Sequence, residues 1–129
     1  MGQISESYRI SPNHLLKVVQ KLSQLGYVET TRGKSGGVRL LADPSSLTLG
    51  AIVRGMEPEL GVVACLRVGE QPCVIAPACK LKSILTEATT QFLATLDAQT
   101  LADITVGKPR VVRLLQLAAR ERFLATHQS

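Results

Sequence analysis

The stretch SPNHLLKVVQKLSQLGYVETTRGKSGGVRL, residues 11–40, restricts the possible fold more than any other part of the chain. Ser11 and Pro12 are typical of a helix start, because a serine side chain accepts a bond from a free backbone N–H and proline fits the first helical position. Gly26 suits the left-handed residue that follows a helix. The sequence therefore predicts an amphipathic helix that begins at Pro12 and ends before Gly26. Its apolar stripe comprises Leu15, Val18, Val19, Leu22 and Leu25.

A β-hairpin is predicted directly after this helix. Residues 27–31 alternate and include β-branched side chains, residues 33–37 are rich in glycine, and residues 38–41 form a second short run. A helix with a polar outer face followed by a hairpin with a basic tip is the pattern of a winged helix-turn-helix. In that arrangement the helix enters the major groove of DNA and the wing lies along the backbone or the minor groove.

The charge distribution also favours a polyanion-binding module, although a merely solvated basic surface is the other interpretation. The chain of 129 residues has a net charge of +5, and residues 1–41 hold six basic side chains against two acidic ones. The aromatic fraction of 3% argues against a surface that stacks single-stranded bases. Double-stranded DNA is therefore the expected partner.

Neither a membrane protein nor an enzyme is expected from the residue pattern. No charge-free apolar run approaches the ~18–20 residues that span a bilayer, and the N-terminus lacks a signal-peptide pattern, which predicts a cytoplasmic protein. The two histidines, His14 and His127, lie away from cysteines and from carboxylate clusters in the sequence. We assign no role to His127 and expect no catalytic residues.

All the cysteines of the chain, Cys65, Cys73 and Cys79, fall in the stretch CLRVGEQPCVIAPAC. An odd number of thiols cannot pair completely into disulfides. In a reducing cytoplasm, clustered cysteines more often bind metal or react than form structural bridges. From the residues alone, a metal or cluster site, a zinc site completed by another side chain and unligated thiols all stay open.

Two more helices are predicted after the hairpin, and a short one follows them. One runs from Leu49 to about Met56, with Thr48 as its cap, and the cysteine loop follows over residues 58–78. Pro77 fits a first helical position, so that Cys79 should lie in the first turn of a helix that reaches Leu96. Thr100 and Asp103 resemble a capping box for a brief helix, and the basic tail has helical periodicity without assigned chemistry. The apolar stripe of the long helix comprises Leu81, Ile84, Leu85, Ala88, Phe92 and Leu96, and it could pack within the subunit or form a dimer seam.

These residues carry a family resemblance over about positions 4–106. Residues 11–40 resemble the recognition helix and wing of the Rrf-two family of winged-helix transcription regulators. The runs CVIAPACKLKSIL and LDAQTLADI resemble the nitric-oxide-sensitive repressor branch of that family. The resemblance implies a mainly α-helical fold with a small β-hairpin wing (α+β), a cysteine loop and a long dimerisation helix.

The resemblance also implies a cofactor, a signal and a homodimer. In this branch three cysteines of each subunit, here Cys65, Cys73 and Cys79, hold an iron–sulfur cluster, expected to be [4Fe–4S], with [2Fe–2S] as the alternative. Reaction of the cluster with nitric oxide releases the operator DNA. Thiolates are the soft ligands that such clusters require, and a helix N-terminus near Cys79 would favour the anionic form.

This sequence departs from the family pattern at three points. It begins at MGQISESYRIS, which resembles the second helix of the family, so the first helix is expected to be missing and no fourth cluster ligand is named. The interval between Cys65 and Cys73 is longer than usual, which a loop absorbs at low entropic cost. Lys82 stands where the cluster-assembly branch has a histidine ligand, which argues against that branch.

We therefore expect residues 1–57 to form the winged-helix domain and residues 58–80 the cluster-binding loop. Residues 81–106 should form the dimerisation and capping helices, and residues 107–129 a basic tail. A cluster- or zinc-containing regulator of iron–sulfur or redox status, and a truncated form that does not bind DNA alone, are the alternatives. The residues expected to contact DNA are Ser11, Asn13, His14, Lys17 and Gln20 in the major groove and Arg32 and Lys34 on the backbone.

Overall fold

Helices form most of the computed structural model, which describes residues 1–67 and 69–127. The α-helices are α1 (Gly2–Tyr8), α2 (Pro12–Gln24), α3 (Leu49–Met56), α4 (Lys80–Asp97), α5 (Leu101–Ile104) and α6 (Lys108–His127). The strands are β1 (Val28–Thr31) and β2 (Gly37–Leu40), and 3-10 turns occur at Ala64–Leu66 and Ala76–Ala78. The expected class, mainly α with a β-hairpin, is confirmed.

The chain divides into two compact units, and one of them is built from two separate stretches of the sequence. One unit comprises Met1–Asp43 together with the C-terminal segment from Ile104 onward, and the other comprises Pro44–Asp103. We call them the reading unit and the cysteine unit. The expected segments 1–57, 58–80, 81–106 and 107–129 divide the chain by role and stay predictions, since packing does not report role.

The reading unit begins with a helix-turn-helix formed by α1 and α2. Arg9 ends α1 in the left-handed region with a φ of 55°, and the Ser5 hydroxyl donates to the Ile10 carbonyl at 2.6 Å, which closes the turn. Ser11 accepts a bond from the His14 N–H at 3.2 Å, as expected of the cap. Gly26 has a φ of 77°, which glycine adopts without steric cost, and this confirms the expected end of α2.

A small apolar core joins α2 to the hairpin. Leu15, Val19 and Val28 are each less than a tenth exposed, and the first two lie four residues apart on one face of α2. The strands β1 and β2 pair antiparallel, with Val28 opposite Leu40 and Thr31 opposite Gly37. The predicted hairpin is therefore present, with each strand starting one residue from the expected position.

In the cysteine unit, the residues that enter and leave the unit are bonded to each other. Thr48 and Thr100 form an antiparallel bridge. The Leu49 N–H donates to the Gln99 carbonyl at 2.9 Å, and the Leu101 N–H donates to the Leu47 carbonyl at 2.8 Å. Leu47 is buried beside this bridge. These bonds hold the starts of α3 and α5 side by side.

Helices α3 and α4 pack together and are joined by a bidentate ion pair. Arg54 donates from both terminal nitrogens to Asp97, at 2.5 and 2.8 Å. The Asp97 side chain crosses directly over Gly50, which is buried and where an added Cβ would lie 1.8 Å from Asp97 Oδ1. Glycine at position 50 is thus required by the close approach of the carboxylate.

The start of α4 differs from the expectation. Pro77 lies in the Ala76–Ala78 3-10 turn, and Cys79 is the residue that caps α4, with an extended backbone (φ −83°, ψ 102°). The prediction that Cys79 lies inside the first helical turn was therefore wrong by one position. The reason is that Ala76, Pro77 and Ala78 close a tighter turn, which ends when Cys79 becomes extended.

The two short capping motifs of this unit are as expected. The Thr48 hydroxyl accepts from the Ala51 N–H at 3.1 Å at the start of α3. At the start of α5, the Thr100 N–H donates to Asp103 at 2.7 Å and the Asp103 N–H donates to the Thr100 hydroxyl at 3.3 Å. The Thr100 N–H and the Thr100 hydroxyl, which donates to the same Asp103 oxygen at 2.9 Å, hold the pKa of Asp103 below its usual value.

The tail forms α6, which packs against α1 within the reading unit. Helical periodicity predicted a helix in this region, but no local pattern indicated the surface on which it packs. Within the described ranges, no helix combines the length and the hydropathy needed to cross a bilayer.

Replacing Gly50 by alanine should destabilise the protein, because the new methyl group collides with the Asp97 carboxylate. We expect a loss of about 1–3 kcal/mol in the free energy of unfolding, the usual cost of overpacking, measured by urea denaturation. The same Gly50→Ala change should cost less stability in an Asp97→Ala background than in the wild type, since the colliding carboxylate atoms are then absent. An equal cost in both backgrounds would contradict this contact. Gly2→Ala is the matched control, since its Cβ meets nothing within 4 Å.

The Arg54–Asp97 pair should also make stability depend on pH. The hydrogen bonds from Arg54 lower the pKa of Asp97 below its ordinary value of 3.8. A carboxyl whose folded pKa is depressed contributes stability that is fully present above pH 3.8 and is lost as the pH falls through the folded value. Urea midpoints of the wild type and Asp97→Asn should therefore differ at about pH 6 and converge well below pH 3.8. A difference that persists unchanged at low pH would refute this assignment.

Candidate nucleic-acid interface and cysteine segment

The outward face of α2 carries the residues expected to read DNA. Leu15 and Val19 point into the core, which turns the polar side chains of the same helix toward solvent. The exposed residues on this helix and its cap include Ser11, Asn13, His14, Lys17 and Gln20. Asn13, Lys17 and Gln20 recur at intervals of four and three residues, so they follow one line along the helix.

The basic residues of the wing differ in their partners. Arg39 pairs across the strands with Glu29, and its Nε donates to Glu29 Oε1 at 2.6 Å. Arg32 and Lys34, at the tip, are exposed and make no ion pair within the described part of the chain. The charge of Arg39 in the stem is therefore neutralised by Glu29, whereas Arg32 and Lys34 keep their positive charge at the tip, where a phosphate could accept hydrogen bonds.

The wing tip is shaped by glycine. Gly33 has a φ of 106°, and the Gly36 N–H donates to the Gly33 carbonyl at 2.9 Å. A Cβ at Gly36 would lie 2.3 Å from the Thr31 carbonyl oxygen, so no larger residue fits without opening the turn. The Thr31 hydroxyl accepts from the Gly37 N–H at 3.2 Å and closes the base of the tip.

A cleft joins α2 to the wing in one surface. It has a volume of about 710 Å³, and Gln20 of α2 and Arg32 of the tip both line it. Apolar lining comes from Leu16, Val19 and Val38. The structure thus brings Gln20 and Arg32, one residue from each part of the predicted DNA-contacting set, to the same cleft of the reading unit. The other five predicted residues, Ser11, Asn13, His14, Lys17 and Lys34, lie outside its lining.

The cysteines are free thiols that the structure does not gather. Cys65 and Cys79 are half-buried and Cys73 is exposed. The turn that carries Cys65 packs on α4, where Leu66 shares a cleft of about 280 Å³ with Thr86, Thr89 and Leu93. That part of α4 lies two to four turns beyond Cys79, about 10–20 Å along the helix axis. Hence Cys79 lies at the N-terminal end of α4, whereas the turn that carries Cys65 packs near the middle of that helix.

Among the described residues, no group of three or more histidine, cysteine, aspartate or glutamate side chains is arranged to hold a metal ion. The donor chemistry still fits an iron–sulfur cluster, because three unpaired thiols lie in one short segment. Residues 69–75 are exposed throughout, with Val74 97% exposed, so burial does not fix Cys73 in its present place. Gathering the three thiols requires this segment to rearrange.

Comparison with known proteins identifies the family. The family model described as Rrf2, iron-dependent transcriptional regulator, matches residues 1–107. The chain belongs to the Rrf2 family. The HTH-type transcriptional regulator NsrR of Bacillus subtilis (strain 168) is 46% identical over 115 residues, which cover 89% of this chain and 79% of that protein. As an Rrf2 protein, the chain is a transcriptional regulator rather than an enzyme, as expected.

Solved Rrf2-type structures share the fold. The B. subtilis global cysteine regulator CymR aligns with a TM-score of 0.57 and 27% identity, over 78% of this chain and 72% of that one. T. potens IscR aligns with a TM-score of 0.55 and 26% identity, over 78% of this chain but only 64% of that structure. The winged-helix class inferred from residues 11–40 is therefore confirmed.

Replacing the tip residues should remove contacts with DNA phosphates. The variant should therefore bind DNA more weakly, and its affinity should depend less on salt concentration. Removing one side chain that binds a phosphate should lower the slope of log K against log salt concentration by about 0.9. We therefore expect a shallower slope for Arg32→Gln with Lys34→Gln, measured by fluorescence anisotropy with duplex DNA. Arg39→Gln is the control, because Arg39 is already paired with Glu29. An equal slope change in the control and in the tip variant would show that the tip has no special role.

Proposed function

We propose that this Rrf2 protein is a homodimeric repressor that binds operator DNA and releases it in response to nitric oxide through an iron–sulfur cluster. The observation that carries the proposal is the combination of an exposed polar face on α2, an unpaired basic wing tip and three free thiols within one chain of this family. The resemblance of CVIAPACKLKSIL to the nitric-oxide-sensitive branch supports nitric oxide as the signal, and the similarity to the transcriptional regulator NsrR of B. subtilis supports a regulatory role.

In this proposal α2 enters the major groove and the wing lies on the backbone. Asn13 has the geometry to pair bidentately with adenine, and Lys17 can reach guanine or a phosphate. His14 and Gln20 flank these contacts, and Ser11 fixes the start of the helix through its cap bond. Arg32 and Lys34 bind phosphates, which positions the helix without reading sequence.

The dimer is proposed to form along the exposed side of α4. The predicted apolar stripe is divided in the structure: Leu85 and Leu96 are half-buried, whereas Leu81, Ile84 and Phe92 are 60%, 62% and 55% exposed. With Ala88, the exposed residues recur every three or four positions along the helix and form one apolar line. Such a line on a water-exposed helix is stabilised when a second copy covers it.

Cys65, Cys73 and Cys79 are the residues that would hold the cluster. When bound, the cluster supplies iron that reacts with nitric oxide. Cys79 also caps α4, so its position is tied to the first turn of the proposed dimer helix. Cys65 belongs to a turn packed on the same helix. We propose that gathering or releasing the thiols moves this turn along α4 and so changes how two reading units are spaced.

Replacing Asn13 by alanine tests the reading helix. Duplexes bound by the wild type are first selected from a randomised library, and affinity is then compared on the selected and on scrambled sequences. Loss of a bidentate base contact should reduce the preference by about 1–3 kcal/mol, with little change on scrambled DNA. Ser83→Ala, on an exposed position of α4, is the control. An unchanged preference would remove Asn13 from the reading face.

Replacing Cys79 by alanine tests the cluster. Protein prepared without oxygen should contain iron and acid-labile sulfide, and the variant should lose both together with the tight binding to the selected duplex. Ser83→Ala, one turn further along α4, should keep them. Zinc without sulfide in the wild type would contradict the cluster, while a variant that keeps its iron and full affinity would contradict the role of Cys79.

A further inference from the structure

Helix α6 has no part in the function proposed so far. The match to the family model covers residues 1–107, and α6 begins at Lys108 and runs to His127. It nevertheless belongs to the reading unit, together with α2 and the wing. A 20-residue helix that returns to the unit proposed to bind DNA could add to its contact surface.

One face of α6 is docked on α1. Val112, Leu115 and Gln116 line a cleft of about 310 Å³, whose opposite wall includes Ile4 and Tyr8 of α1. At about 100° per residue these three α6 positions occupy one sector of the helix. The docked face orients α6, and the residues outside this sector are turned away from α1.

The side of α6 outside the docked sector carries a row of arginines. Arg110, Arg113 and Arg120 fall within about 80° of one another around the helix, and their centre lies about 120° from that of the docked sector. All three are exposed, and no side chain among them makes an ion pair or a hydrogen bond within the described part of the chain. They extend over about 15 Å of helix. We call this row the α6 arginine face.

We propose that the α6 arginine face binds the phosphate backbone of duplex DNA that flanks the site read by α2. This inference rests on the proposed function. Duplex DNA carries about one charge per 1.7 Å of axis, so roughly nine phosphate charges lie within the length of the row. Guanidinium groups pair with phosphate oxygens through parallel N–H bonds, which suits arginine better than lysine.

Placement favours DNA over an anionic membrane as the partner. Leu117 and Leu124 lie among the arginines and are 48% and 57% exposed, a mixture that a lipid surface could also bind. However, the face belongs to the same compact unit as Lys17 of α2 and Arg32 of the wing tip. Their combined charge would attract one extended polyanion. Glu121 borders the row and should weaken its attraction to phosphate.

The test uses the full-length protein with Arg113→Gln and Arg120→Gln together. On a selected duplex with flanks of about ten base pairs, the slope of log K against log salt should fall by about 0.9 for each phosphate that the variant no longer binds. On the same duplex trimmed of its flanks, the variant and the wild type should bind alike. Lys108→Gln removes one charge from the docked side of α6 and should leave the slope unchanged. Glu121→Gln should tighten binding to the flanked duplex.

Several results would overturn the inference. An unchanged slope on the flanked duplex, in a variant with wild-type circular dichroism, would remove the arginine face from the DNA surface and leave the proposed function standing. If the variant instead loses binding to phosphatidylglycerol vesicles that the wild type binds, with the DNA slope unchanged, the face is a membrane surface. A wild type that selects no duplex at all would overturn the proposed function itself.

Discussion

The pairing of residues 47–49 with residues 99–101 is the interaction on which the rest of the arrangement depends. It joins the point where the chain enters the cysteine unit to the point where it leaves. The same closure brings α3 beside α4, where the Arg54–Asp97 pair locks the two helices over Gly50. The cysteine segment, residues 58–78, is thereby flanked by two anchored helices, and its ends cannot separate without breaking these bonds.

The polypeptide chain connects the cysteine segment to the reading unit in both directions. One connection leads backward from Pro44 to the wing, and the other leads forward from α5 to α6, which packs on α1. The segment itself is exposed between residues 69 and 75, so its rearrangement sacrifices little buried surface. The exposed segment can therefore change its conformation while the bonds between residues 47–49 and 99–101 stay in place.

Much of the reading unit could be predicted from the sequence because its signals are local. Ser11, Gly26 and the glycines of the wing each specify a backbone conformation within a few residues. The positions of the cysteines relative to one another could not be predicted, since they depend on which side of α4 receives the Ala64–Leu66 turn. The contact of Asp97 with Gly50 joins residues far apart in sequence. The feature of the sequence that indicates this contact is Gly50, a glycine inside the short helix α3.

The most direct test of the central claim is the affinity for the selected duplex before and after stoichiometric nitric oxide, with iron and sulfide measured on the same oxygen-free samples. We predict that protein containing iron and sulfide binds tightly and that nitric oxide lowers its affinity to the level of Cys79→Ala. If protein that contains iron and sulfide keeps its full affinity after nitric oxide, the cluster does not control DNA binding in this chain, and the proposed sensing function is wrong.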